Sequence, residues 1–187
     1  MSTKRGKRPF PPGISNPDDT AAMIRVNHAG ELGAVRIYEG QLAVLANRPA
    51  AQKSVQAIRK MARQEQDHLK AFDALVNERR VRPTALAPVW HVAGFALGAA
   101  SALMGEKAAM ACTAAVEDVI DEHYKDQIAR IESDGDLKAH IEKFRADEIA
   151  HRNEALAHGA REAPAYRLLS AAIKSGCRIA IKLSERI

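Results

Sequence analysis

The chain predicts an all-α fold, a four-helix bundle carrying two further helices, and three observations predict it. Alanine is abundant, aromatic residues make up only 4% of the chain, and no stretch alternates as a half-buried strand does. Apolar residues instead recur at steps of three and four through four separate segments, the spacing of a helix face. Proline, glycine and Asp/Asn-rich breaks divide the 187 residues into helix-length pieces, and a chain of that size suits one compact domain.

Residues 1–17 stand apart. Lys4, Arg5, Lys7 and Arg8 precede Pro9, Pro11, Pro12 and Pro17 with no apolar core between them, so this is a basic arm and no secretory signal. The folded domain is expected over 18–187. Helix one runs from about Asp18 to Ala46, opened by Asn16-Pro17-Asp18 and stopped before Arg48-Pro49. Its seam is Ile24, His28, Glu31, Val35, Tyr38, Leu42 and Leu45. Helix two spans about Ala50 to Arg79, with Ile58, Met61, Glu65, His68, Phe72 and Leu75 on one face. Helix four runs from about Glu106 to Ile131 through Met110, Thr113, Glu117, Ile120 and Tyr124. After the turn at Ser133-Asp134-Gly135-Asp136, helix five covers about Asp136 to Ala160, with Leu137, Ile141, Phe144, Glu148, His151 and Ala155 aligned.

Helices three and six are of another kind. From Pro83 to Gly105 no residue is charged, in a chain that is 27% charged. The apolar part, Val89 to Met104, falls short of the roughly 20 residues a membrane span needs. Gly94 and Gly98 give it a small face for close helix contact. Helix six, from Pro164 to about Ile187, sets Leu168, Ile173, Ile179 and Leu183 against Arg167, Lys174, Arg178 and Lys182, a pattern suited to an anionic membrane surface. The competing expectation is that both helices simply pack into the core. Cys112 and Cys177 lack metal or redox spacing and read as reduced core thiols.

The chemistry lies in a duplicated set. Glu65–His68 and Glu148–His151 are each a Glu-x-x-His pair, and each follows a lone glutamate, Glu31 by 34 residues and Glu117 by 31. Positions i and i+3 share a helix face, so each pair presents a carboxylate and an imidazole together. All six residues fall on seams. Four buried carboxylates would oppose folding unless something cancels their charge, and two divalent cations do so. Two such pairs, plus a glutamate from each of two more helices, are the ligand set of ferritin-like di-iron carboxylate proteins. Oxygen-rich ligands with one imidazole per metal suit Fe or Mn over Zn. Tyr124, seven residues after Glu117 on the same seam, either relays a proton or electron near the metals or packs there. His28, three before Glu31, is placed to brace a ligand by hydrogen bonding.

Longer motifs narrow the reading. Asn27-His28-Ala29-Gly30-Glu31, Gln64-Glu65-Gln66-Asp67-His68, Arg82-Pro83-Thr84, Val116-Glu117, Asp147-Glu148-Ile149-Ala150-His151 and Leu183-Ser184-Glu185-Arg186 resemble the demethoxyubiquinone hydroxylases from about residue 20 onward. The resemblance implies a di-iron monooxygenase that uses O2 to hydroxylate the ring of a polyprenylated demethoxy-benzoquinol in ubiquinone synthesis. It implies a peripheral enzyme on the cytoplasmic face of a bacterial cell membrane, with a lipid-binding accessory protein as a partner. Carried over by position, Glu31, Glu65 and His68 would hold one iron and Glu117, Glu148 and His151 the other, with Glu65 and Glu148 bridging. Asn27 departs from the family's usual Asp without removing a ligand.

Two other classes compete with this reading. A ferritin or rubrerythrin-like iron or peroxide handler lacks support from any Cys-x-x-Cys module and fits poorly with an uncharged helix three. A di-iron tRNA hydroxylase would use the net charge of +5. Much of that excess, however, sits in the arm and helix six, and aromatic residues for base stacking are scarce, so no nucleic-acid partner is expected. The electron donor stays open between NADH acting directly and a separate reductase, since no Gly-rich dinucleotide fingerprint is present.

Overall fold

The computed structural model describes residues 17–186, so the arm expected over 1–17 lies outside the described residues except at Pro17. Six α-helices are present and no strand occurs among the described residues. They are α1 (Pro17–Leu45), α2 (Gln52–Glu78), α3 (Ala87–Leu103), α4 (Glu106–Arg130), α5 (Gly135–Ala157) and α6 (Tyr166–Ser184). Short 3-10 turns at Pro49–Ala51 and Ala160–Glu162 precede α2 and α6.

Helices α1, α2, α4 and α5 form the bundle. All six seam residues of α2, and all six of α5, are buried. On α4 the ten consecutive positions 108–117 are buried. A helix enclosed all round must be built from small residues, and five of those ten are alanine. That is why α4 can sit between α1, α5 and α6 at once. The turn from α4 to α5 is held by Asp134, whose carboxylate accepts from the Leu137 backbone N–H (3.1 Å) and from both Arg79 guanidinium nitrogens. One side chain thus caps α5 and ties it to the end of α2; the Arg79 guanidinium holds the Asp134 carboxyl below its ordinary range.

Helix α3 runs from Ala87 to Leu103, inside the uncharged stretch between Pro83 and Gly105. Thr84 Oγ1 accepts from the Leu86 N–H (3.2 Å) to make a tight turn, and Pro88 then occupies the first turn of the helix, where its missing N–H costs nothing. Likewise α5 ends at Ala157, because Gly159 turns left-handed (φ 82°), and α6 begins only at Tyr166.

The small face expected on α3 is used against α1. A Cβ on Gly94 would lie 2.8 Å from the Gly33 carbonyl oxygen, and one on Gly98 only 1.9 Å from that of Ile37. From the other side, a Cβ on Gly40 would meet the Phe95 carbonyl oxygen at 2.2 Å. Backbone therefore lies on backbone along α1 and α3. The opposite side of α3 has no cover: Val89, Val92 and Leu103 are exposed, as are Met104 just after it and Leu168, Ile179 and Leu183 on α6. Every exposed large apolar side chain among the described residues lies on or beside these two helices. Neither sequence-level expectation is complete, since each helix packs on one face and leaves the other bare.

The basic residues of α6 divide in the same way. Lys174 pairs with Asp118 and Arg178 with Glu122 (2.8 Å), both across to α4, while Arg167 and Lys182 are exposed. No helix among the described residues is long and apolar enough to cross a membrane.

Candidate metal centre

All six predicted ligands meet in the bundle, each no more than 3% exposed. Glu31 comes from α1, Glu65 and His68 from α2, Glu117 from α4, and Glu148 and His151 from α5. They gather into two groups that share two members. Ligand atoms of Glu31, Glu65, His68 and Glu148 lie within 4.8 Å of one another, as do those of Glu65, Glu117, Glu148 and His151. Glu65 and Glu148 belong to both.

What fits metal here is the pattern of unused atoms. Both oxygens of Glu65 and of Glu148, one oxygen each of Glu31 and Glu117, and Nδ1 of both histidines are buried without a hydrogen-bond partner. Buried polar atoms without partners are costly, and eight converging on one place need a common partner. The other oxygens of Glu31 and Glu117 are occupied. Tyr124 donates its hydroxyl to Glu31 Oε1, and Tyr38 donates to Glu117 Oε1 at 2.6 Å. Each tyrosine follows a lone glutamate by seven residues but bonds the other one, across the antiparallel pair α1 and α4. Each terminal carboxylate is left with a single free oxygen aimed inward.

The histidines are oriented in the same crossed fashion. His68 Nε2 lies 3.1 Å from Asp147 Oδ2, and His151 Nε2 lies 3.3 Å from Gln64 Oε1. With Nε2–H donating to these oxygens, Nδ1 of each ring is the free electron-pair donor facing the carboxylates. His68 Nδ1 is 3.3 Å from Glu148 Oε1, and His151 Nδ1 is 2.9 Å from Glu65 Oε1. Asp147 and Gln64 immediately precede Glu148 and Glu65, so each Glu-x-x-His helix supplies the brace for the other helix's histidine.

Electrostatics carry the mark of uncancelled charge. Burial, then repulsion from Glu148, pushes the carboxyls of Glu65 and Glu117 well above the ordinary carboxylate range, and burial raises that of Glu148 too. The two imidazoles diverge. Burial alone would lower His68, but the Glu148 and Glu31 carboxylates facing it overcome that and hold its pKa at about 10, while for His151 burial prevails and lowers it. Protons stand in for the positive charge that the site is built to hold.

Of the two supporting residues suggested by spacing, Tyr124 contacts the cluster. His28 does not brace Glu31: its Nε2 lies 2.9 Å from Asp73 Oδ1 on α2, near the surface. His28 lies at the edge of the α1–α2 contact, where Asp73 of α2 takes its Nε2. Tyr38, Gln64 and Asp147 were not singled out from sequence. The repeat itself held their signal, Tyr38 by its place seven residues after Glu31 and the other two by their place before each pair's glutamate. Next to Glu31, Asn27 and Gln127 exchange two side-chain hydrogen bonds (2.8 and 3.0 Å), a neutral closure of that end of the site.

Two openings flank the cluster. On the α2–α5 side, a polar cleft lined by Gln64, Asp67, His68, Lys143 and Asp147 reaches the outer edge of His68. Between α3 and α6 lies an almost wholly apolar cleft of about 560 Å³ whose floor is α1 and α4. Gly30 and Val116 line it, and each is the chain neighbour of a ligand glutamate.

A profile of the family described as "Ubiquinone biosynthesis protein COQ7" matches residues 18–184. A protein of Rhodospirillum rubrum named 3-demethoxyubiquinol 3-hydroxylase is 58% identical over 166 residues, covering 88% of this chain and 77% of the relative. The human NADPH-dependent 3-demethoxyubiquinone 3-hydroxylase, mitochondrial, is 50% identical over 170 residues, covering 88% and 76%. The 5-demethoxyubiquinone hydroxylase, mitochondrial, of Saccharomyces cerevisiae is 39% identical over 208 residues, covering 100% and 88%.

Proposed function

We infer, because this chain belongs to the ubiquinone biosynthesis protein COQ7 family, that it hydroxylates the ring of a demethoxyubiquinol. One oxygen atom of O2 enters a ring C–H bond, and the other leaves as water, with two electrons and two protons from a reductant. The observation that carries this reading is the set of eight unpartnered ligand atoms beside an apolar cleft.

Two iron ions fit the six residues. Glu31, Glu65 and His68 would hold one, and Glu117, Glu148 and His151 the other, with Glu65 and Glu148 shared. When bound, the pair supplies the redox chemistry that O2 activation requires and that no side chain here can provide. The protein's own groups do the remainder. Tyr124 and Tyr38 each donate to one oxygen of Glu31 and of Glu117, which orients those carboxylates and leaves the other oxygen facing the cluster. The Tyr124 hydroxyl holds its proton at Glu31 Oε1, and burial beside the carboxylates keeps that proton on the phenol. Asp147 and Gln64 keep the imidazoles turned inward. The surrounding apolar helices keep water from the ring. We take the electrons to come from a reduced nicotinamide nucleotide, the donor class in the human relative's name.

The substrate is a long-chain lipid, and the bare faces of α3 and α6 suit a seat in the cytoplasmic leaflet of the membrane. The ring would reach the cleft while the tail stays in lipid. Moving one large apolar side chain from lipid to water costs about 1.5–3 kcal/mol, at least roughly tenfold in partitioning. Val92→Asp and Ile179→Asp should therefore weaken binding to anionic liposomes about tenfold and slow hydroxylation of a long-chain demethoxyquinol supplied in them. A short-tailed soluble quinol should be hydroxylated at the parental rate, with normal iron content. Parental turnover of the long-chain quinol by both variants would remove the membrane seat. Failure of the iron-loaded parent to hydroxylate either quinol would remove the function.

A further inference from the structure

Six glycines lie inside helices: Gly30, Gly33 and Gly40 on α1, Gly94 and Gly98 on α3, and Gly176 on α6. Glycine in a helix interior is destabilising relative to alanine, so each needs a reason. Packing supplies it for three, since a Cβ on Gly40, Gly94 or Gly98 would strike backbone at 2.8 Å or less. Nothing in the protein supplies it for the others. A Cβ on Gly30, Gly33 or Gly176 would meet no atom within 4 Å, and the backbone asks for no positive φ at any of them. All three line the apolar cleft between α3 and α6, two from its floor and one from its α6 wall.

We propose that Gly30, Gly33 and Gly176 determine specificity by keeping the cleft open for the substituted benzoquinol ring, at a standing cost to the stability of their helices. The inference rests on the quinol reading of the cleft and deepens it. Gly30 is the chain neighbour of Glu31, so its missing side chain clears the approach nearest the ligands. A flat ring laid against bare helix backbone comes closer to α1 than any side chain would allow. A structural role for the glycines and a role for the ligand have opposite signatures: a packing glycine changed to alanine lowers stability, whereas a clearance glycine changed to alanine raises it and loses binding.

Trp90 is the only tryptophan of the chain and lines the same cleft, so a bound oxidised quinone should quench its fluorescence. The test uses the iron-loaded full chain and a demethoxybenzoquinone with a single isoprene unit as the probe. The parent should show saturable quenching. Gly30→Ala and Gly33→Ala should each raise Tm by about 2–4 °C and shift the quenching midpoint by roughly tenfold or more, the scale set by one misplaced carbon in an apolar pocket. Gly176→Ala should change both in the same directions, and iron content should stay parental in all three. Alanine variants that bind the probe as the parent does, or that melt lower, overturn the clearance role while the quinol reading stands. Absence of saturable quenching in the parent overturns both.

Discussion

Glu148→Ala should abolish iron retention and hydroxylation together. Both Glu148 oxygens are buried without a hydrogen-bond partner, and the residue belongs to both four-residue groups, so its loss opens a position on each metal. Three carboxylates also cannot balance two divalent cations as four do. Iron per chain should fall from two to below one, and product should fall below detection. Helix content should hold, because α5 keeps its Asp134 cap and its apolar seam residues. Glu154→Ala on the same helix should keep both properties, since that carboxylate pairs with His158 (3.3 Å), away from the cluster. Two irons and parental turnover in Glu148→Ala would show that the shared carboxylate is not a ligand.

Gly98→Ala should be the most damaging single methyl group in the fold. Its Cβ would sit 1.9 Å from the Ile37 carbonyl oxygen and 2.7 Å from the carbonyl carbon. Both are backbone atoms within α1, so no rotamer change relieves the overlap and α3 must lift away. Overpacking of this kind costs about 2–4 kcal/mol, a drop in Tm of roughly 5–15 °C for a chain of this size. None of the six ligands is on α3, so iron content should fall less than turnover of the quinol, whose cleft has α3 as a wall. A Tm within 2 °C of the parent would mean that the α1–α3 contact is looser than the backbone indicates.

The bundle and the gathering of its six glutamates and histidines were legible because both are written in spacing along single helices. A seam with a carboxylate every few turns declares its buried face, and the repeat of Glu31, Glu65, His68 as Glu117, Glu148, His151 declares its partner helices. Contacts made between helices were not legible in that way. Tyr124 could be placed near the centre by its distance from Glu117, yet the carboxylate it bonds is Glu31, across the bundle. Tyr38 stood in the same seam and went unremarked for the same reason. His28 shares the seam of Glu31, but spacing along α1 does not reveal that Asp73 of α2 takes its imidazole. Two prolines stand near the start of α3, and only the folded chain shows that Pro83 precedes a turn while Pro88 lies in the first turn of the helix. Composition also could not separate the glycines of α1, since Gly40 meets backbone and Gly30 meets empty space only once α3 and α6 are in position.

Paired iron held in this bundle would use O2 to hydroxylate a demethoxyubiquinol ring. The most direct measurement is mass spectrometry of product formed under 18O2 by the purified, iron-quantified protein supplied with reductant and a short-tailed demethoxyquinol. Two irons per chain and one 18O atom in each product ring are expected, with no label when the 18O is supplied as water. Label arriving from water, or labelled product from iron-free protein, would contradict it.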